Sequence, residues 1–526
     1  MIKEKHADVA VIGGSLGGCA AALAAASMGR TIIMTEETEW IGGQLTSQGV
    51  PPDEHSWIET HGCTRRYRQF REGVRDYYRN HFPLTKAAHD NPLLNPGNGN
   101  VSPLCHEPRT ALAVLLQMLA PYIHSGQVAI LTQHVPLQAE MAGDRIVSVT
   151  ARSSATGDNT VIAASCFLDA TECGDLLPLA GAEYVTGSES KADTGEPHAI
   201  DGPAQPLDMQ AFTYCFAMDY REGENHTISR PESYSFWRDF KPSFWPDRLL
   251  SWAGVRPSTL EPVRYNLFPG EPGLSYWKGF SLFTYRRLID ASLFRPGTYE
   301  SDISLVNWPQ NDYFLGPIID VDDETRNRHL KMAKELSLSL LYWMQTEAPR
   351  PDGKAGYPGL RLRKDVFDTE DGLAKYPYVR ESRRIQAEFT VLEQHIAKHS
   401  RPDGKAASFA DSVGIGYYHI DLHPSSGNRS YIDFASLPFQ IPLGSLLPIR
   451  LENLLPACKN IGTTHITNGG YRLHPVEWSI GEAAGLLAVF SLDRDVSPRE
   501  VRNRQALLED FQALLVRQGI DLSWPS

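Results

Sequence analysis

The sequence predicts an α/β fold: a Rossmann-like, doubly wound parallel sheet assembled from both ends of the chain, with an α+β domain inserted between them. Three observations predict it. The apolar run Val9 to Ile12 ends at Gly13 and passes through a glycine-rich turn into "CAAALAAASMG", the order strand, turn, helix. A second short apolar run, "TIIMTE", closes on Glu36, 18 residues after Gly18. Far downstream, "ENLLPACKN" and "HPVEWSIGEAAGLLA" repeat the order of apolar strand, turn and helix near the other terminus.

Each element has a physical reason. Val9 to Ile12 reads as a buried parallel strand because it is apolar without alternation. The helix after it is built of small helix formers and stops at Gly29. In "GGSLGG" the outer glycines of a G-x-G-x-x-G pattern stand at Gly13 and Gly18, with Ser15 at the middle position. Gly13 permits the tight turn, Gly18 lets helix and strand pack closely, and the middle residue faces a pyrophosphate at the helix N-terminus. Serine is small, and its hydroxyl can itself donate to a phosphate. Glu36 suits a ribose hydroxyl. Together they predict a dinucleotide site formed by Gly13, Gly14, Ser15, Leu16, Gly17, Gly18, Glu36 and Glu37. An ordinary glycine turn is the structural alternative.

The paired glycines of "WIGGQLTSQG" extend the pattern, adding Gly42, Gly43 and Gln44 as cofactor contacts. This arrangement resembles FAD-binding chains of the glutathione-reductase type and points to FAD rather than NAD. Four stretches together resemble the FAD-dependent oxidoreductase family related to fumarate reductase and succinate dehydrogenase flavoproteins. They are Asp8 to Gly43; "SCFLDATECGDLLPLAG" from Ser165, similar to the family's Asp-Ala-Thr-Gly-Asp-Gly-Asp-Leu segment; Asp411 to Pro448; and Glu452 to Ala488. The resemblance implies bound FAD, contacted also by Val135, Ala170, Thr171, Pro475 and Val476. It implies that the helix entered at Pro475 aims its N-terminus at the flavin, where backbone donors and the helix dipole stabilise the reduced anion. The chain departs from the family at Cys173 and Cys458, which stand where small residues are common.

Composition bounds the function. The chain has 526 residues, 42% hydrophobic and 21% charged, and a formal charge of −13. That is a soluble, multidomain balance with no general attraction for nucleic acid or an anionic membrane. It favours a small-molecule substrate and leaves homo-oligomer formation open. Seven cysteines without a C-x-x-C give neither a disulfide framework nor a structural zinc site. Cys63 and Cys105 invite a redox pair that spacing cannot establish. The first strand begins too early for a signal peptide and no apolar run reaches membrane length, so a cytoplasmic location is expected.

The expected domains are 1–185, the first part of the FAD-binding domain, with a helical insertion at about 51–104; 186–435, the substrate or cap domain; and 436–526, the C-terminal part of the FAD domain. In the insertion, Arg65, Arg66, Arg68, Arg71, Arg75 and Arg79 recur at helical spacings and predict an exposed basic helix or lid. The middle is rich in aromatic residues, among them Phe212, Tyr214, Phe216, Trp237, Phe244, Trp245, Trp252, Tyr276, Trp277, Phe280, Phe283 and Tyr285. Most are expected in the core, with a few covering the flavin. Helices are predicted at Asp323 to Thr346, at Arg380 to Ile396, and from Pro498 to Gly519. The last is capped by Ser497 with Glu500 and packs by Leu507, Phe511, Leu514 and Leu515.

Candidate catalytic residues are Arg472, His474 and His465. Arg472 in "GGYRL" stands where related flavoproteins place an arginine beside the active site, and its fork suits a carboxylate. A structural salt bridge is the alternative. Histidine titrates near neutrality and can carry a proton. His419, Asp421 and His423 alternate on one strand face. That face serves a polar surface or substrate contacts more readily than a metal, and no metal site is assigned. Arg380, Arg383 and Arg384 suit an anionic substrate or surface ion pairs.

The expected activity is FAD-dependent oxidation or reduction of a small organic substrate by hydride transfer at flavin N5, as a dehydrogenase or oxidase. The alternatives are a flavin-dependent monooxygenase, an RNA-modifying flavoprotein and a non-catalytic flavin-binding module. Cys458 to Ile461 lacks the Gly-Asp-Ala-Ala-His segment of ring hydroxylases, and "VGIGYY" lacks the strand and helix of a second nucleotide site.

Overall fold

A computed structural model describes residues 2–271 and 280–525; Tyr276 and Trp277 lie outside the described residues. The main sheet begins with β1 (Ile2–Ile12), followed by α1 (Leu16–Ser27) and β2 (Ile32–Glu36). After α2 (Arg65–His81) and α3 (Pro108–His124) come β3 (Val128–Thr132), β4 (His134–Ala142), β5 (Arg145–Ser153) and β6 (Asn159–Asp169). The order across the sheet is β3-β2-β1-β6-β5-β4. The strands β3, β2, β1 and β6 are parallel, whereas β6-β5-β4 is an antiparallel meander. β1 is longer than its apolar run. Its polar half, Lys3 to Ala7, pairs with the start of β6, and only Val9 to Ile12 are fully buried.

The middle of the chain builds a second sheet and core. β7 (Phe216–Tyr220), β8 (Arg287–Ile289), β9 (Ile303–Val306) and β10 (Leu360–Leu362) form an antiparallel sheet in the order β8-β9-β7-β10. The long helix α4 (Asp323–Thr346) has the bounds predicted, with Asp322 as its cap. Phe212, Tyr214, Phe216, Trp237, Trp245, Trp252 and Phe283 are buried together in this core, and Phe244 packs partly buried against it. Next comes the short hairpin of β11 (Ile420–Leu422) and β12 (Ile432–Phe434), in which Asp421 pairs with Asp433.

The chain then returns to the first sheet. β13 (Leu454–Pro456) adds in parallel to the end of β6, so both chain ends share one sheet. Two helices follow, α5 (His465–Tyr471) and α6 (His474–Arg494). α1 and α6 pack at backbone distance. A Cβ on Gly481 would overlap the Gly17 carbonyl, and one on Gly485 would lie against the Ala21 carbonyl at 2.5 Å. Gly18 behaves as its motif position predicts, since a Cβ there would overlap the Gly13 carbonyl.

Three expectations are corrected. Arg380 to Ile396 is not one helix: only Glu393–Ile396 is helical, and Arg384–Ile385 is a strand. Arg380 and Arg384 bind buried acids elsewhere in the fold, and these contacts override helix propensity. The C-terminal helix breaks at Arg504, which is extended between α7 (Pro498–Asn503) and α8 (Gln505–Arg517). Its packing face uses Leu508 rather than the half-buried Leu507.

The third correction concerns α2. It is not an exposed basic face, because Arg71 and Arg75 are completely buried. Arg71 pairs with Glu54 at 2.9 Å and Glu59 at 2.7 Å, and Arg75 with Glu59 at 2.6 Å. Arg66 reaches the buried Glu482 of α6 at 2.5 Å. Arg71 and Arg75 therefore tie α2 to the 54–59 segment beside it, and Arg66 ties it to α6. Removing Glu54 leaves the buried Arg71 held by Glu59 alone and the Tyr67 hydroxyl without its acceptor, a loss of about 1–3 kcal/mol. Glu54→Ala is accordingly expected to lower the melting temperature by several degrees. A shift of only a degree or two would show that water reaches Arg71.

Candidate functional site

The glycine loop folds as its sequence requires. Gly13 is left-handed, at φ 101°, and a Cβ there would overlap the Ala170 carbonyl at the end of β6. Ser15 caps α1, its Oγ accepting from the Gly18 N–H at 3.2 Å, which leaves its own proton available for donation. Gly42 is left-handed, at φ 105°, and its N–H donates to the Gly14 carbonyl at 2.7 Å, which holds the two glycine turns together.

A narrow cleft opens beside this loop, lined by Gly13, Ser15, Glu36, Glu37, Ala170 and Thr171, with His134 and Pro136 on the β4 side. The predicted contact Val135 is replaced in the lining by its two neighbours, since successive residues of a strand face opposite sides. Glu36 Oε2 accepts from the Gly14 N–H at 3.2 Å, and Oε1 from the Thr38 hydroxyl at 2.8 Å. Burial pushes its carboxyl up to about 8. Asp169 is buried and bonded to Thr171, and burial pushes it up to about 7.

Next to α1, a charged group appears that the motif did not announce. Lys459 pairs with Glu172 and lies 3.9 Å from Glu477, all deep in the protein. Burial alone would lower Lys459; Cys458, Glu172 and Glu477 around it raise it above the ordinary lysine range. Glu477 Oε1 accepts from the Gly17 N–H at 3.1 Å, and Gln44 donates to Glu477 and to the Arg472 carbonyl. The sequence signal was the Cys458-Lys459-Asn460 segment, noted only for what it lacks.

These residues fit FAD. The acid at the end of β2, the turn against the α1 N-terminus and the cleft match an adenosine and diphosphate. Beyond them lies a trail of buried polar atoms without protein partners: Gln44 Oε1, Gln48 Oε1 and Nε2, Glu172 Oε1 and His474 Nε2. Buried polar groups are normally satisfied, so such a trail is suited to a polar ligand or bound water. Gly13, Ser15, Glu36 and Glu37 would hold its adenosine end, with Gln44, Lys459 and the first turn of α6, Pro475 and Val476, toward the flavin.

The comparisons with known proteins agree. The family description FAD dependent oxidoreductase matches residues 8–515. The chain belongs to that family. FAD is its cofactor, and it is an oxidoreductase. No curated protein is similar enough to match. Among solved structures, the L-proline dehydrogenase of P. horikoshii is 15% identical over 36% of this chain and 25% of that one, TM-score 0.19. The glycerol-3-phosphate dehydrogenase of Bacillus halodurans, complexed with FAD, is 12% identical over 41% and 40%, TM-score 0.25. The quinol fumarate reductase of E. coli is 10% identical over 98% and 74%, TM-score 0.35. The chain thus matches well under half the length of the first two. Among the described residues no helix is long and apolar enough to cross a membrane.

A second, open cavity of about 230 Å³ lies among the middle segments, walled by Tyr265, Phe280, Tyr285 and Trp308 on its apolar side. Its polar side holds Arg286, Asn307, Arg380, Tyr418, His419, Asp421, His423 and Asp433. Arg380 pairs with Asp312 at 2.9 Å and donates to Thr213 and to Asn307; Arg286 pairs with Asp53 at 3.2 Å. Arg380 Nε, Arg286 Nε and Asn307 Nδ2 are buried and have no partner among the described residues.

None of the three predicted catalytic residues lines this cavity; two are linked to its wall through other residues and one is not. Arg472 donates to the Tyr378 hydroxyl at 3.0 Å and pairs with Asp421, a wall residue, at 3.0 Å. His474 Nδ1 accepts from the Asp53 N–H at 3.0 Å, and Asp53 carries Arg286. His465 instead sits in an ionic cluster, 3.0 Å from Glu381, which also pairs with Arg384. Arg383 binds Asp175 and Asp320, so of the three clustered arginines only Arg380 reaches the cavity. Arg286 and Asn307 were missed because nothing in their local sequence marks them.

His474 differs from the expectation of a group titrating near neutrality. Complete burial lowers it to about 3. With Nδ1 accepting, the proton sits on Nε2, the atom without a partner. His474 is therefore a fixed neutral donor. Its folded value lies below the ordinary histidine value, so the native ring stays neutral while the unfolded one protonates as pH falls below about 6.5. Its contribution to stability is complete above that pH and is lost progressively down to about pH 3. The ring resonances of His474 are expected to stay constant between pH 8 and 5; a midpoint near 6.5 would contradict the burial argument.

Proposed function

We propose that the chain transfers a hydride between flavin N5 and a small organic anion seated in the larger cavity, working as a dehydrogenase or oxidase. The observation that carries this reading is the set of buried donors without partners, Arg380 Nε, Arg286 Nε and Asn307 Nδ2, around one cavity with aromatic walls. Three unused donors, two of them on guanidinium groups, suit a carboxylate. FAD, when bound, supplies the hydride chemistry.

The chain's own residues do the rest. Arg380 and Arg286 hold the anion, each fixed by a carboxylate on its far side, Asp312 and Asp53. Arg472 positions Tyr378 and Asp421. His474 offers Nε2–H as a neutral donor. The imidazole of His423, 2.6 Å from Asp312, is exposed to the cavity and takes or gives the substrate proton. His465 acts through its hydrogen bonds to Glu381 and Glu189 on the shape of the α5 turn. The segments between 186 and 435 serve as the substrate domain.

The test is anaerobic stopped-flow reduction of the flavin by a panel of alcohols, amines, hydroxy acids and amino acids, with and without NAD(P)H. The expected result is bleaching by a carboxylate-bearing compound and none by its methyl ester. Bleaching by NAD(P)H alone, followed on admission of O2 by hydroxylation of an aromatic substrate, would replace this reading with a monooxygenase.

A further inference from the structure

The β11–β12 hairpin carries a feature that hydride transfer does not use. Asp421 and Asp433 are directly opposite across the two strands, an arrangement in which like charges destabilise a sheet. His419, two residues before Asp421, lies on the same face, with Nε2 3.5 Å from Asp433 Oδ2. The ligand atoms of His419, Asp421 and Asp433 all lie within 4.8 Å of one another. Donors about 2.1 Å from a shared ion are at most ~4.2 Å apart, so small side-chain rotations bring the three together.

We propose that His419, Asp421 and Asp433 bind one divalent first-row metal ion at the wall of the larger cavity. One imidazole and two carboxylates suit manganese, iron, cobalt or zinc; an all-oxygen set would suit calcium or magnesium better. The hairpin fixes the two aspartates by backbone register, so the ligands converge without a flexible loop.

The unsatisfied donors on which the proposed substrate site also rests point to a ligand in the same cavity. Asn307 and Arg380, both at least nine-tenths buried, line this cavity with Nδ2 and Nε unsatisfied. Donors there and a metal beside them would grip one oxygen-bearing molecule from two sides, with the open coordination position taken by its oxygen. Arg472 on Asp421 and Asp312 on His423 form the surrounding shell that holds the hairpin side chains in place.

A second group, His198, Glu393 and His399, is equally compact, but there both histidines hydrogen-bond one oxygen, Glu393 Oε1, at 2.7 and 2.8 Å. That cluster is already satisfied without an ion. It provides the control.

The experiment is a titration of the FAD-loaded, chelator-treated protein with Mn²⁺, reading free Mn²⁺ by electron paramagnetic resonance, then displacement by Zn²⁺. One Mn²⁺ per chain is expected. Asp433→Asn and His419→Gln should each weaken binding by at least ~10-fold, and His399→Gln should leave it unchanged. Flavin content and melting temperature report folding. If Asp433→Asn misfolds, the partly exposed His419→Gln carries the test alone. The proposal is overturned if Mn²⁺ and Zn²⁺ do not bind in stoichiometric amounts, if both hairpin variants bind as the parent does, or if His399→Gln removes the ion. None of these readings depends on which substrate the cavity takes.

Discussion

Gly17→Ala is expected to cost the protein its flavin and much of its stability. Gly17 sits in the first turn of α1, where a Cβ would overlap the Ala457 carbonyl and lie 3.2 Å from the Glu477 carbonyl. Both neighbours are backbone, so no rotamer change makes room. Helix α1 would have to move away from β13 and α6 together. Overpacking of a dense core typically costs about 1–3 kcal/mol, and a clash of backbone with Cβ belongs at or above the top of that range. The same shift would pull the Gly17 N–H from Glu477, 3.1 Å away, and separate the loop from Lys459. Flavin absorbance per chain and a melting curve measure both effects. Parental flavin content with an unchanged melting temperature would show that the α1–α6 contact tolerates a methyl group.

Arg380→Gln is expected to reduce kcat/KM for an anionic substrate by about 10²–10³-fold, while FAD stays bound. Removing one member of a buried, hydrogen-bonded charge pair costs about 2–5 kcal/mol, partly because the other charge is stranded. Here the stranded group is Asp312, which is fully buried. His423, at 2.6 Å, and the Thr213 hydroxyl remain to hold it, which keeps the fold intact. The loss therefore falls on the cavity, where Arg380 Nε has no partner among the described residues. Kinetics with a substrate acid and its neutral amide separate the two effects. An equal loss for both compounds would place Arg380 in the scaffold and not in anion recognition.

The cofactor half of the molecule was legible in the sequence for a local reason. A strand, a glycine turn and a helix are specified within a few tens of residues, so Gly13, Ser15, Gly18, Glu36 and Gly42 could be assigned tasks from spacing alone. The structure shows the backbone side of those tasks: Gly13 and Gly42 are left-handed, Gly18 packs on the Gly13 carbonyl, Ser15 caps α1 and Gly42 is bonded to Gly14. The same holds for Asp323 to Thr346, a long helix whose cap and period are encoded in its own residues. Arg380 to Ile396 failed because its polar residues satisfy distant acids, which no local periodicity records.

The larger cavity was decided by the tertiary structure. Arg286, Asn307, Arg380, Tyr418 and Asp433 come from segments up to 147 residues apart and meet only when the middle sheet, the β11–β12 hairpin and the α5–α6 turn pack together. Burial was decided there too. Arg71 and Arg75 read as surface charges and His474 as a neutral-range proton carrier, yet each is enclosed. A residue's type is written in the sequence; its charge state depends on how much water and which partners the completed fold leaves beside it. The sequence by itself determined the cofactor and the sheet that holds it, through short-range backbone requirements. Which side chains share a cavity, and which of them stay charged, was settled only by long-range packing.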